Sequence, residues 1–89
     1  EPRFEELKGT VSSIRLDSVL SSAFPMSRSK LVGYIEGGKV FVNGKIITSN
    51  GYRLKENDII SVRGMGRIQY DSVISETKKG RYFIRLYKY

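Results

Sequence analysis

Apolar positions change their spacing several times along this 89-residue chain, and each change marks an element. From Phe4 to Val11, the positions Leu7, Gly9 and Val11 alternate with polar neighbours. That period of two predicts a leading edge strand with one buried face. From Arg15 the period lengthens: Leu16, Val19, Leu20 and Ala23 recur at i, i+3, i+4 and i+7. They form one stripe of a helix of about three turns, with Asp17, Ser18, Ser21 and Ser22 outside it. Pro25 stops this helix by pushing the residue before it out of helical dihedrals.

Ser27 is placed as the N-cap of a second helix, Arg28 to about Glu36, with Leu31, Val32 and Ile35 as its buried stripe. Gly37-Gly38 supplies a left-handed stop, so two short antiparallel helices are expected. The runs Lys39 to Val42 and Lys45 to Thr48 flank Asn43-Gly44, the strongest short signal for a hairpin. Lys55-Glu56-Asn57-Asp58 is a polar turn into a strand from Ile59 to Arg63, which Gly64-Met65-Gly66 breaks. Two alternating runs, Arg67 to Glu76 and Arg81 to Lys88, flank Thr77-Lys78-Lys79-Gly80 as a second hairpin. The expected class is α+β: two helices packed on one face of a small, mainly antiparallel twisted sheet, with an added C-terminal β-hairpin.

Composition narrows the chemistry. There is no cysteine and no histidine, so disulfides, thiolates, nucleophile–histidine dyads and the usual zinc, copper and iron ligand sets have no residues to build them. No pair of carboxylates has the spacing for acid–base work. A catalytic site, a metal and a cofactor are therefore not expected within these residues. No apolar run approaches the roughly 20 residues of a membrane span and no leader pattern opens the chain. A cytoplasmic location without membrane attachment is expected. Glu1-Pro2-Arg3 reads as the interior of a longer chain.

The formal charge of +7 is unevenly spread. Residues 1–27 carry three basic against four acidic groups, whereas residues 28–89 carry thirteen against five, or +8. A basic excess of this kind attracts polyanions, with nucleic acid the leading class. The cations fall in particular places. Arg28-Ser29-Lys30 opens the second helix, where free amides and the macrodipole already favour a phosphate and disfavour cations. Lys39, Asn43 and Lys45 surround the first hairpin, with Lys39 expected beside the start of the second helix; lysines there also deter edge-to-edge aggregation. Arg63 and Arg67 flank the Gly64-Met65-Gly66 turn. In the last strand Arg81, Phe83, Arg85, Tyr87 and Tyr89 share a face that either stacks bases or packs on itself, while Tyr82, Ile84 and Leu86 face the core. Asp17 beside Arg15 supports the first helical turn.

One ordered set of residues is more specific than any of its pieces. Arg15-Leu16-Asp17 with Val19-Leu20 precedes Ser27-Arg28-Ser29-Lys30, then Gly38-Lys39-Val40, Val42-Asn43-Gly44-Lys45, and Leu54 with Asn57-Asp58-Ile59-Ile60-Ser61-Val62. Over about residues 14–63 this resembles the RNA-binding domain first described in ribosomal small-subunit protein four, the alpha-L RNA-binding motif. The resemblance implies two helices on a small sheet, with RNA held against the start of the second helix. It carries Arg15, Arg28, Ser29, Lys30, Lys39, Asn43 and Lys45 as binding or motif positions; Arg63 and Arg67 are added as phosphate contacts from their place beside the turn, not from the resemblance. The Arg63 to Arg67 run and terminal hairpin further resemble the carboxyl-terminal domain of YlmH-like bacterial proteins, which are linked to large-subunit binding and ribosome-associated quality control.

The expected organisation is therefore a leading strand or linker over 1–13, an RNA-binding core over 14–65, and a hairpin extension over 66–89. The expected partner is ribosomal or transfer RNA, bound by a monomeric, non-catalytic domain. Two alternatives stay open on sequence: an interaction module using the aromatic last strand, and the targeting domain of an RNA-modifying enzyme.

Overall fold

The computed structural model describes residues 5–89; residues 1–4, including Phe4 at the predicted start of the first strand, lie outside it. Strand β1 (Glu5–Val11) leads into α1 (Leu16–Ala23) and α2 (Arg28–Glu36). Strands β2 (Val40–Val42), β3 (Lys45–Ile46), β4 (Ile59–Val62), β5 (Gly66–Glu76) and β6 (Tyr82–Lys88) follow. They form one six-stranded antiparallel sheet in the order β1-β6-β5-β4-β2-β3. The α+β class read from the sequence is the one observed.

The predicted helical stripe is the buried one. Leu16, Val19, Leu20 and Ala23 of α1 join Leu31 and Ile35 of α2 in a single core. The sheet contributes Val40, Val42, Ile60, Val62, Ile68, Tyr70, Ile84 and Leu86 to it. Full burial of one such aliphatic side chain is worth about 1.5–3 kcal/mol, so this seam holds the helices on the sheet. Ile84 and Leu86 alternate inward along β6, as expected, with Tyr82 packed at the margin.

Three local expectations need correction. Helix α1 has eight residues, little more than two turns, because Arg15 and Phe24 at its ends are both extended. Asp17 and Ser18 are buried rather than outside the stripe, since α2 and the loop before β4 close over them. Val32 is only half-buried, which leaves Leu31 and Ile35 to anchor α2.

The turns follow their residues. Asn43 (φ 52°) and Gly44 (φ 86°) are both left-handed, the geometry that matches the twist of a two-residue hairpin. Gly38 (φ 75°) ends α2. Strand β5 is the longest and belongs to two neighbourhoods. Its first half pairs with both β4 and β6, and two register shifts, at Tyr70/Ser72 and Val73/Ser75, carry its second half along β6 alone.

Tyr70 is buried in the core, and desolvation, followed by the nearby Glu56 and Asp71 carboxylates, pushes its hydroxyl above the ordinary value of 10.0. The unfolded chain then loses that proton first, so stability is intact below pH 10 and falls as pH rises through the folded value. Tyr70→Phe is expected to reduce the alkaline loss of stability seen in urea melts as pH rises above 10.0. An unchanged slope would contradict this assignment.

Candidate nucleic-acid interface

The first turn of α1 has no side-chain cap. Its free amides instead donate to backbone carbonyls of the loop before β4: Leu16 N–H to Tyr52 O at 2.9 Å and Asp17 N–H to Asn50 O at 3.2 Å. Leu54 N–H donates to Ile14 O, and Arg15 forms a β-bridge with Arg53. This loop therefore clamps the start of α1, and Gly51 in it lies under the Arg15 guanidinium. A Cβ at Gly51 would be 3.5–3.6 Å from three guanidinium atoms.

Asp17 ties the two helices together. One of its oxygens accepts from Ser18 N–H at 2.8 Å. The other accepts from Arg15 Nη2 at 3.2 Å and lies 3.6 Å from Arg28 Nη2. Arg28 also donates to Ser18 Oγ at 2.9 Å. Asp17 is 4% exposed, yet the side chains of Arg15 and Arg28 are 43% and 59% exposed. A buried carboxylate thus holds two partly exposed arginines through their Nη2 atoms, while the Arg15 Nε is buried without a hydrogen-bond partner.

The start of α2 completes the cationic group. Ser27 Oγ accepts from Lys30 N–H at 3.3 Å, fulfilling its predicted capping role. Arg28, Ser29 and Lys30 are all exposed, and no acidic residue occupies this first turn. The free amides and the positive end of the helix dipole favour an anion there, beside the restrained Arg28 and the exposed Lys30.

The remaining candidates are dispersed. Lys39 is not beside the start of α2: its ammonium sits 5.2 Å from the ring centre of Tyr34, in the last turn of that helix. The Gly37-Gly38 turn delivers the chain there before β2 begins. Arg63 N–H donates to Lys39 O, which makes these two cations cross-strand neighbours, while Arg67 pairs opposite Ser61 on β4. Asn43 and Lys45 lie at the other end of β2, roughly 13 Å from Lys39 at strand rise. Asn43 is committed internally, donating to Asp58 Oδ1 and accepting from Ile59 N–H, each at 3.0 Å. On the last strand, Arg85 forms ion pairs with Glu6 at 3.0 Å and Asp71 at 4.0 Å, and Tyr89 donates to Gln69. Sequence reasoning missed Arg53, whose side chain shares a face with Arg15 across the bridge. Its lone position in a turn-rich segment carried no periodic signal.

The described residues thus form a small α+β domain with Arg15 and Arg28 restrained where two helices start. The family model for the S4 domain matches residues 14–60, and the chain belongs to that family of RNA-binding domains. Over 73 residues it is 38% identical to the ribosome-associated protein quality control protein P2 of Bacillus subtilis (strain 168), a span covering 82% of this chain. The same span is 28% of the relative's length. The family resemblance read from the ordered motifs is thereby established, and the similarity extends beyond the family segment.

A double-mutant cycle tests the Asp17 clasp. Asp17→Asn and Arg28→Ala are expected to be non-additive in folding stability, with a coupling of about 0.5–3 kcal/mol; strict additivity would show that the pair does not interact. Asn43→Ala should lower stability by about 2 kcal/mol through a strained turn and two lost hydrogen bonds. Asn43→Gly should recover only the backbone part in the same denaturation assay.

Proposed function

We propose that this domain grips structured ribosomal or transfer RNA through backbone phosphates, recognising shape more than sequence. The observation that carries the reading is the clasp at Asp17, which holds Arg15 and Arg28 in place beside Ser29, Lys30 and the open amides of α2. Phosphate oxygens accept from such a set without any need to read a base edge. Lys39 with Arg63, then Arg67 and Lys45, extend the positive surface along the sheet, while Asn43 shapes the hairpin.

The domain's part is binding, and any chemistry belongs to other segments of the protein. The similarity to a ribosome-associated quality control protein supports a role on the ribosome, in the cytoplasm; in this reading the isolated domain acts as a monomer. Residues 14–65 form the gripping core in this reading, and 66–89 extend the same domain. Arg85 is engaged by two carboxylates, so the ring-and-arginine face of β6 is read as packing rather than as a base-stacking platform.

Contacts to roughly 4–6 phosphates give a slope of log affinity against log salt of about −3 to −5. Binding of ribosomal RNA fragments and transfer RNA, followed across salt concentration, should show that slope. Arg28→Ala and Lys30→Ala should each make it shallower by about 1 and weaken all bound sequences alike. Affinity indifferent to salt and to both substitutions would falsify the proposal.

A further inference from the structure

A cavity of about 90 Å³ lies where α1 meets the end of β1 and the approach to β6. Its wall carries the hydroxyls of Thr10, Ser12, Ser18, Ser21 and Ser22. Two guanidinium groups complete it, Arg28 from α2 and Arg81 from the residue before β6. None of the described lining residues is acidic. The space is far smaller than the roughly 300–1,000 Å³ of a site for a drug-sized ligand, and suits one small group.

The serines share one helical face, being at i, i+3 and i+4. Serine is a poorer helix former than alanine, so three of them on an eight-residue helix weaken it locally while placing three hydroxyls along one wall. That wall is held close to β1: a Cβ on Gly9 would come within 2.8 Å of Ser22 Oγ, so only glycine lets the strand approach so near. Arg28 is fixed through Nη2 by Ser18 and Asp17, contacts that leave its Nε–H and Nη1 donors unused. Arg81 is exposed and brings a second charge to the same cavity.

We infer that this cavity is a phosphate-binding site, in which Arg28 and Arg81 neutralise one phosphate group and the surrounding hydroxyls donate to its oxygens. Tetrahedral oxygens and two forked cations are a matched set. As an RNA-backbone site, the inference rests on the proposed function. Arg28 then serves both the start of α2 and the cavity, and the nucleic-acid track turns across α1 onto the terminal hairpin. A free phosphate has the same chemistry and is the other possible source.

The test uses the isotopically labelled chain at constant ionic strength, titrated first with inorganic phosphate and then with ribosomal RNA fragments. Saturable amide shifts at residues 10–12 and 18–22 that Arg81→Ala abolishes and Arg81→Lys largely keeps would establish the site. If backbone phosphate is the ligand, Arg81→Ala also weakens RNA binding about tenfold and makes the salt slope shallower by about 1, while Lys55→Ala changes affinity less than twofold. Weakened RNA binding of that size supports the backbone source even when inorganic phosphate alone gives no shifts. Phosphate shifts with equal RNA affinity in the two alanine variants assign the site to free phosphate. Phosphate shifts in a chain that binds no RNA overturn the proposed function and leave the site standing. No shifts, with Arg81→Ala indistinguishable from Lys55→Ala on RNA, overturn the inference.

Discussion

A carboxylate removed from water must find partners or it costs several kcal/mol, and much of this domain's architecture meets that demand at Asp17. The partners come from three directions: the helix's own amide at Ser18, Arg15 at the clamped start of α1, and Arg28 at the start of α2. Satisfying one buried charge thereby sets the relative placement of two helix starts. It also restrains two arginines whose side chains would otherwise carry up to about 2 kcal/mol of rotamer entropy each. A binding surface ordered before its ligand arrives loses less freedom on association.

The sheet gives this arrangement its stiffness. The segment matched by the S4 family and the terminal hairpin share one sheet and one apolar core, because β5 pairs with β4 on one side and β6 on the other. Beyond the two register shifts, β5 has left β4 and pairs only with β6, which keeps β1 on its other side, and Val73 and Ile74 are exposed there. Charges on the uncovered sheet face are spent in part on each other, as Arg85 with Glu6 and Asp71 demonstrates. Net charge alone therefore overstates the number of cations free to meet a polyanion.

Elements governed by near neighbours were legible in the chain. Ser27, Asn43-Gly44 and Pro25 act within a few residues, and their cap, turn and stop stand where the sequence puts them. The apolar stripes of α1 and β6 were equally readable, because periodicity reports the buried face directly. What the chain did not disclose depends on distant contacts. Asp17 and Ser18 lie off the apolar stripe and are buried only because α2 and residues 50–54 fold over them. Lys39 was assigned to the wrong end of α2, since the direction of the following turn is not encoded in alternation. Arg81 gained a setting only when β6 lay beside β1 and brought it to the serines of α1.

The pairing of β1 with β6 has a mechanical corollary. Glu5 stands opposite Lys88 and Val11 opposite Tyr82, so the outer ends of the first and last strands emerge side by side. Tension applied at those two ends loads the ladder one rung at a time, beginning at Glu5 and Lys88, instead of shearing all its rungs together. Heat and denaturant act on the whole core at once, whereas force at those two ends peels the sheet from a single corner. Along that peeling direction, the last rungs to open are those that hold β1 beneath α1.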